Sequence, residues 1–238
     1  PEEQDLLRAL EALSLLRSDP DGWRLAEDLA PYLHPGSPRS LIPAIAMNCD
    51  LFPLWGHLSQ TIRDGCPPGG ADRHLGADPD RTRRFVLAMH SRALALAEQM
   101  LPLVDAGPVT TLLDIGAGPG TWSRLLAERY PSLRVTLADL PPILEIARGL
   151  HVSSPAADRL AFLPADYRQH SDWGGPYQAI VFCGALHQET QDTAHTLFER
   201  LARHIEPDGR FIVVDLMRPD GAPPHPMAAL FSLNMRLT

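Results

Sequence analysis

The spacing of apolar residues changes near residue 110, and the two halves of the chain predict different architecture. In the first half the spacing is helical. Leu6, Leu7, Leu10, Leu13 and Leu16 predict an amphipathic helix over 1–17. Asp19-Pro20-Asp21-Gly22 marks a turn. A short strand at 23–25 and a helix at 27–33 follow, half of a winged-helix pattern. Residues 44–63 predict a helix with Trp55 and Leu58 inward. Residues 81–101 predict a long helix with Phe85, Met89, Leu94 and Leu96 among its apolar positions. The Pro- and Gly-containing stretches 34–43, 65–79 and 102–108 read as connections, the last as a hinge.

Beyond the hinge, short β-rich runs alternate with helical ones. The predicted strands are 110–115, 133–138, 159–163, 178–183 and 209–215; the predicted helices are 120–130, 142–150, 191–205 and 225–237. Such alternation means parallel strands joined by helical crossovers. The expected fold is therefore α/β: a Rossmann-like, mostly parallel sheet over 102–238, preceded by a mainly helical, winged-helix-like region over 1–101.

Composition narrows the functional classes. A hydrophobic content of 45% over 238 residues is enough for a packed core. The net charge of -8 argues against a general nucleic-acid or anionic-membrane surface. Eight acidic residues against three arginines among residues 1–30 argue further against phosphate contacts by the winged-helix-like part, leaving dimerisation or a substrate lid. No apolar run approaches the ~20 residues of a membrane span. Cys49, Cys66 and Cys183 have no metal-site spacing, so reduced cytoplasmic thiols and no metal are expected. All 21 basic residues are arginine, which excludes Schiff-base or lysine-base chemistry within this chain.

The candidate chemistry centres on Thr-Thr-Leu-Leu-Asp-Ile-Gly-Ala-Gly-Pro-Gly, residues 110–120. A strand ending in Gly116, Gly118 and Gly120 and opening a helix is the nucleotide-site arrangement of open α/β sheets. The third glycine precedes Thr121, so this is not the Gly-x-Gly-x-x-Gly dinucleotide fingerprint, and Gly-Lys-Ser/Thr is absent. Asp114 adds a carboxylate at the strand tip. Carboxylates repel pyrophosphate and suit a cation; S-adenosylmethionine has a sulfonium, an ammonium and no phosphate. Asp139 ends the second strand about 20 residues on, where an acid accepts from ribose hydroxyls, although Asp before Pro141 is also a common helix cap.

With Leu113-Asp114-Ile115-Gly116-Ala117-Gly118-Pro119-Gly120, Ala138-Asp139-Leu140-Pro141 and Ala185-Leu186-His187, the chain resembles class I S-adenosylmethionine-dependent methyltransferases. It is similar in particular to the dimeric small-molecule O-methyltransferases of plant caffeate and bacterial polyketide type. The Trp55-Gly56-His57-Leu58 and Phe85–Met89 segments belong to the same likeness. The resemblance implies S-adenosylmethionine as cofactor and a homodimer acting on a small hydroxylated acceptor. It implies cofactor contacts from Asp114, Gly116, Gly118, Gly120, Asp139, Leu140, Asp166, Tyr167 and Cys183. Asp166 would meet the adenine amino group and Tyr167 would pack on the ring, with Trp173 a further candidate wall. His187 would be the general base, Asp215 its orienting acid, and Phe85, Met89, Asn234 and Met235 would line the acceptor pocket.

The chain departs from the pattern in three ways. Leu-His-Asp-Trp is replaced by Leu-His-Gln-Glu at Gln188-Glu189, Cys183 stands where plant members carry a lysine, and a second base-flanking acid is expected past Thr238. The resemblance also implies further helices before the first residue and two more strands after the last. Rival expectations are a relative that methylates carbon or does decarboxylation or hydroxylation chemistry, a winged-helix ligand-sensing regulator, and a nicotinamide dehydrogenase.

Overall fold

The computed structural model describes residues 2–66, 77–217, 221, 223 and 225–237. Five strands, β3 (Thr111–Ile115), β4 (Arg134–Asp139), β5 (Leu160–Pro164), β6 (Tyr177–Cys183) and β7 (Ile205–Val214), form one sheet in the order β5-β4-β3-β6-β7, with every pair parallel. The helices α7 (Thr121–Arg129), α8 (Pro141–His151) and α9 (Gln191–Leu201) make the crossovers. The chain winds outward from β3 to β5 and then returns to β6 on the other side of β3. That reversal opens a crevice beyond the carboxyl ends of β3 and β6, where ligands bind in open α/β sheets.

Strand alternation sorts β3 between two core layers. Leu112 packs with Leu126, Val135, Leu137 and Val181 on the α7 face. Leu113 and Ile115 pack with Trp173, Ile180, Phe182, Leu197 and Leu201 on the α9 face. β3 is thus buried on both faces, as the centre of a parallel sheet must be.

The amino-terminal part holds α1 (Glu2–Ala12), an antiparallel hairpin of β1 (Leu16–Asp19) and β2 (Gly22–Leu25), α2 (Ala30–Leu33), α3 (Ile42–Trp55) and α4 (Leu58–Asp64). Then come α5 (Pro79–Ala95) and α6 (Ala97–Val104), while α10 (Pro226–Leu237) closes the chain. Helix α5 is the spine between the halves: it packs on α3 on one side and on α7 and α8 on the other. Asp78 caps it, accepting from the N–H groups of Asp80 and Arg81. Helix α10 returns to α3 and α4.

Several expectations are corrected here. The first helix stops at Ala12 rather than 17, because Ser14 takes φ 59° and Leu16 pairs with Leu25 in the hairpin. The helix expected over 44–63 is two, broken at Gly56–His57. The helix expected over 81–101 breaks at Leu96, and Pro102, read as the start of a hinge, lies inside α6. Strand β7 starts at Ile205, four residues early, because Pro207-Asp208-Gly209 is absorbed as a bulge between Tyr177↔Ile205 and Ala179↔Arg210. Most of the connection expected over 65–79 lies outside the described residues.

Candidate active site

A cleft of about 580 Å³ lies over the carboxyl edge of β3, β4 and β6. Its walls come from the glycine turn, from α5 and α6, and from α10. The volume is that of an ordinary small-ligand site.

Gly116 and Gly118 line it. Gly118 has φ +55°, and an ideal Cβ there would meet no atom within 4 Å, so bare backbone faces the cleft. Gly120 does not line it. Its φ is +65°, and a Cβ would lie 2.8 Å from Cδ1 of Leu137, so this glycine lets α7 close on β4. Asp114 also stays outside the cleft. It shares the α7 face of β3 with Leu112 and accepts from Ser123 Oγ at 2.6 Å, fully buried beneath the turn. Burial raises its pKa to about 7, against the lowering effect of the Ser123 hydroxyl and with a contribution from the charge of Asp139.

Asp139, at the end of β4, does line the cleft. It is not a cap of α8, whose N-cap is Leu140. Its Oδ2 accepts from the N–H of Gly118 at 2.7 Å and its Oδ1 from that of Leu140 at 2.7 Å, tying the second strand to the turn. Burial raises its pKa to about 6; the two backbone donors work against that, and the charge of Asp166 adds to it. Leu140, Asp166, Tyr167 and Cys183 also line the cleft. Tyr167 stands edge-on to Phe182, with centroids 5.4 Å apart, and its hydroxyl donates to Glu189 at 3.0 Å. Burial pushes the Cys183 thiol up to about 12, helped by the charges of Asp114 and Asp215, so it stays protonated. Trp173 is 1% exposed and packs in the core under the sheet rather than walling the cleft.

His187 sits in the short 3-10 turn Leu186–Gln188 that follows β6. Its Nδ1 is 2.9 Å from Asp215 Oδ1, its backbone N–H donates to Oδ2 at 3.1 Å, and its ring lines the cleft. Phe231 of α10 stands edge-on to that ring at 4.8 Å. Asp215 follows directly on β7 and also accepts from the Leu216 N–H at 2.7 Å. Burial acts to raise its pKa, but the donors from His187 and Leu216 together with the imidazole charge prevail, and it is held below the usual carboxylate range. An Nδ1 that donates to a carboxylate leaves Nε2 as the basic nitrogen.

Phe85, Met89 and Met235 line the cleft, whereas Asn234, its neighbour on α10, does not. Sequence reasoning missed Arg92, Trp122 and Gln188, which also line it. It also missed the layer beneath the turn. His90 Nδ1 lies 2.7 Å from Thr121 Oγ1, and His151 Nε2 bonds the Pro119 carbonyl. Nothing in the motif flags these histidines, which come from α5 and α8. Glu189, the second departure after the base position, is turned away from His187 and accepts from Tyr167 and Arg168.

The model of the O-methyltransferase domain matches residues 55–238. The chain belongs to that family. As a member it is 28% identical over 241 residues to a human probable bifunctional dTTP/UTP pyrophosphatase/methyltransferase protein, covering 97% of this chain and 38% of that protein. It is 33% identical over 138 residues to mitomycin biosynthesis 6-O-methyltransferase of Streptomyces lavendulae, covering 58% of this chain and 39% of that one. The matched stretches thus cover well under half of each of these two relatives. Human N-acetylserotonin methyltransferase, solved in complex with SAM, superposes with a TM-score of 0.85 at 21% identity, over 98% of this chain and 70% of that one. Among the described residues, no helix of this family member is long and apolar enough to cross a membrane.

Proposed function

We propose that this protein transfers a methyl group from S-adenosylmethionine to a hydroxyl of a small aromatic acceptor, with His187 as general base. The observation that carries the reading is His187 on the wall of the cleft that the glycine turn also lines, with Asp215 2.9 Å from its Nδ1 and set back from the cleft.

The residues present fit the cofactor. The open backbone at Gly118 admits a close ligand, and the carboxylates of Asp139, at the end of β4, and Asp166, just past β5, line the same cleft. Such acceptors suit hydroxyl and amino donors and a positively charged ligand. Gly116, Gly118, Asp139, Leu140 and Asp166 would hold the cofactor, Tyr167 and Cys183 would complete the wall, and Asp114 and Gly120 would support the turn from behind. When bound, S-adenosylmethionine supplies an electrophilic methyl on a sulfonium.

The protein's own task is then the proton. A phenol with pKa near 10 is a weak nucleophile until its proton leaves. Nε2 of His187 takes that proton, and Asp215, kept anionic, holds the ring's tautomer and stabilises the imidazolium. Phe85 and Met89 of α5 and Met235 of α10 hold the acceptor ring between two helices.

In this reading residues 102–238 bind the cofactor and 1–101 serve dimerisation and the lid of the cleft, in the cytoplasm. The homodimer is supported by Leu6, Leu13, Phe52 and Ile62, apolar side chains more than half exposed on the amino-terminal part. Light scattering giving a monomer at micromolar concentration would remove the dimer.

The reaction is tested with the full-length protein, methyl-labelled S-adenosylmethionine and a panel of phenols, catechols and hydroxylated aromatic acids. Label on oxygen that falls about 10²–10⁴-fold in His187→Asn is expected. Equal label in both proteins would discard His187; bound cofactor with no labelled product would discard the reaction.

A further inference from the structure

One stripe of α5, with Phe85, Met89 and Arg92, lines the cleft and is continued by the C-cap residue Leu96. Their spacing is that of one helix face. Three of the four are apolar, and the fourth is a guanidinium. Among the described residues the Arg92 side chain makes one hydrogen bond, from Nη2 to Asn48 Oδ1 at 3.2 Å. Among the described residues no carboxylate pairs with it. The other cation on the cleft wall, Arg168, is already committed to Glu189 Oε1 at 2.8 Å.

A half-buried guanidinium loses hydration, and burial accordingly lowers the pKa of Arg92. It keeps its proton at any physiological pH all the same. The charge therefore lies on an otherwise apolar stripe of the cleft wall, with a single neutral partner, the exposed Asn48, among the described residues. A planar fork in that position has unmet capacity for a planar anion, which it would bind through two parallel N–H···O bonds.

We propose that Arg92 receives a carboxylate of the methyl acceptor, so that the acceptor is a hydroxylated aromatic acid rather than a neutral phenol. The proposal rests on the O-methyl transfer reading and narrows its substrate. Arg92 lies on the same stripe as Phe85 and Met89, while His187 approaches the cleft from the sheet edge. An acceptor held by its carboxylate at α5 would present its hydroxyl on the far side of the ring. A carboxylate could also come from the amino-acid end of the cofactor, and that source has to be separated from the acceptor.

The test is equilibrium binding by calorimetry with the full-length protein, and no turnover is needed. S-adenosylhomocysteine is titrated first. Monohydroxylated benzoic, cinnamic and naphthoic acids, each beside its carboxamide, are then titrated at saturating S-adenosylhomocysteine. Wild type is expected to bind at least one acid about 10–100-fold more tightly than its amide, the range for a charged hydrogen-bonded contact. Arg92→Gln should erase that preference while leaving S-adenosylhomocysteine affinity within about twofold, and Arg92→Lys should keep part of it.

Absence of any acid preference in wild type overturns the proposal, and this arm needs no variant to fold. A preference that survives Arg92→Gln would reduce Arg92 to a tie between α3 and α5. A loss of S-adenosylhomocysteine affinity in Arg92→Gln would assign the guanidinium to the cofactor's own carboxylate. Failure of methyl transfer with the acid preference intact would sink the reaction and spare the site.

Discussion

Two glycines two residues apart, Gly118 and Gly120, should fail in opposite ways when replaced by alanine. Both have positive φ, +55° and +65°. Alanine in that region costs about 1–2 kcal/mol. The loss of glycine's freedom in the unfolded chain returns about 0.4–1 kcal/mol. Gly118→Ala therefore loses about 0–1.5 kcal/mol, since its Cβ meets nothing within 4 Å. Gly120→Ala carries an added clash, with its Cβ 2.8 Å from Cδ1 and 3.2 Å from Cδ2 of Leu137. Leu137 is a fully buried strand residue, so any shift of its side chain presses on the core around it. Overpacking of that kind costs about 1–3 kcal/mol more. For a protein of this size each kcal/mol shifts the midpoint by about 2–4 °C. The alanine at 120 should thus melt about 2–12 °C below the alanine at 118. The binding phenotypes invert. The Cβ at 118 projects into the cleft and should weaken S-adenosylhomocysteine by about tenfold or more, whereas folded Gly120→Ala should bind it nearly as wild type. Differential scanning calorimetry and titration calorimetry on both variants decide the matter. Equal melting points, or normal binding by Gly118→Ala, would refute the assignment of one glycine to the ligand and the other to packing.

Three further outcomes follow from the same geometry. Asp215→Asn removes the anion that holds the His187 ring, so turnover should fall about 10²–10⁴-fold; S-adenosylhomocysteine affinity should hold, because Asp215 does not line the cleft. In the ligand-free protein Asp139 titrates at about 6, and a ligand that donates to it favours the anion. The protein must then release a proton to bind below that pH, so S-adenosylhomocysteine affinity should fall as pH drops through about 6, by up to about tenfold per pH unit; calorimetry that finds affinity flat from pH 7 to 5 would disprove the contact. His90, half-buried with its pKa lowered to about 4 by desolvation and the nearby charges of His151 and Arg124, is neutral and relies on Thr121 Oγ1 at 2.7 Å. Thr121→Val should therefore cost about 1–3 kcal/mol in urea unfolding, whereas a loss under 0.5 kcal/mol, the ordinary surface range, would mean the bond contributes little.

The parts legible in the sequence are those where one local signal dominates. Period-two runs closed by glycines mark β3 and its turn, and the acid ending β4 is found by its distance from them. Other parts were hidden because two periods agree over a short window. Leu13 and Leu16 continue the spacing of α1, yet Leu16 is a strand residue paired with Leu25. The four residue pairs of the hairpin, from Leu16↔Leu25 to Asp19↔Gly22, outweigh a marginal final helical turn. Parity explains two misplacements. Residues alternate across a strand, so Asp114 must share the face of Leu112, which packs under α7, and cannot also face the ligand. On α10, Asn234 and Met235 are about 100° apart around the helix, and only Met235 turns to the cleft. Both could have been read from the spacing. Arg92 could not, since a lone charge on an apolar stripe usually snorkels to solvent.

The proposed base and its carboxylate show where local reading stops. His187 and Asp215 are 28 residues apart, with α9 and all of β7 between them. Nothing local to either residue says that they meet. Their contact depends on β7 lying beside β6 in parallel register, so that Cys183 pairs with Val214 and the two chains leave the sheet side by side. Had β7 joined the other edge, beyond β5, three strands would separate the two side chains. Strands stand about 4.8 Å apart, so the gap would be on the order of 15–20 Å. The pairing is therefore a product of strand order. The bulge at Pro207-Asp208-Gly209 matters for the same reason. Six residues of β7, from Ile205 to Arg210, span what the three from Tyr177 to Ala179 span on β6, and this offset brings Val214 level with Cys183. Deleting one residue of that bulge should shift the end of β7 by one position. Asp215 would then point to the opposite face and leave His187 without its anion. The expected result is a folded protein that binds S-adenosylhomocysteine and turns over no faster than Asp215→Asn. Retained turnover would show that β7 re-registers at the bulge rather than transmitting the deletion to its carboxyl end.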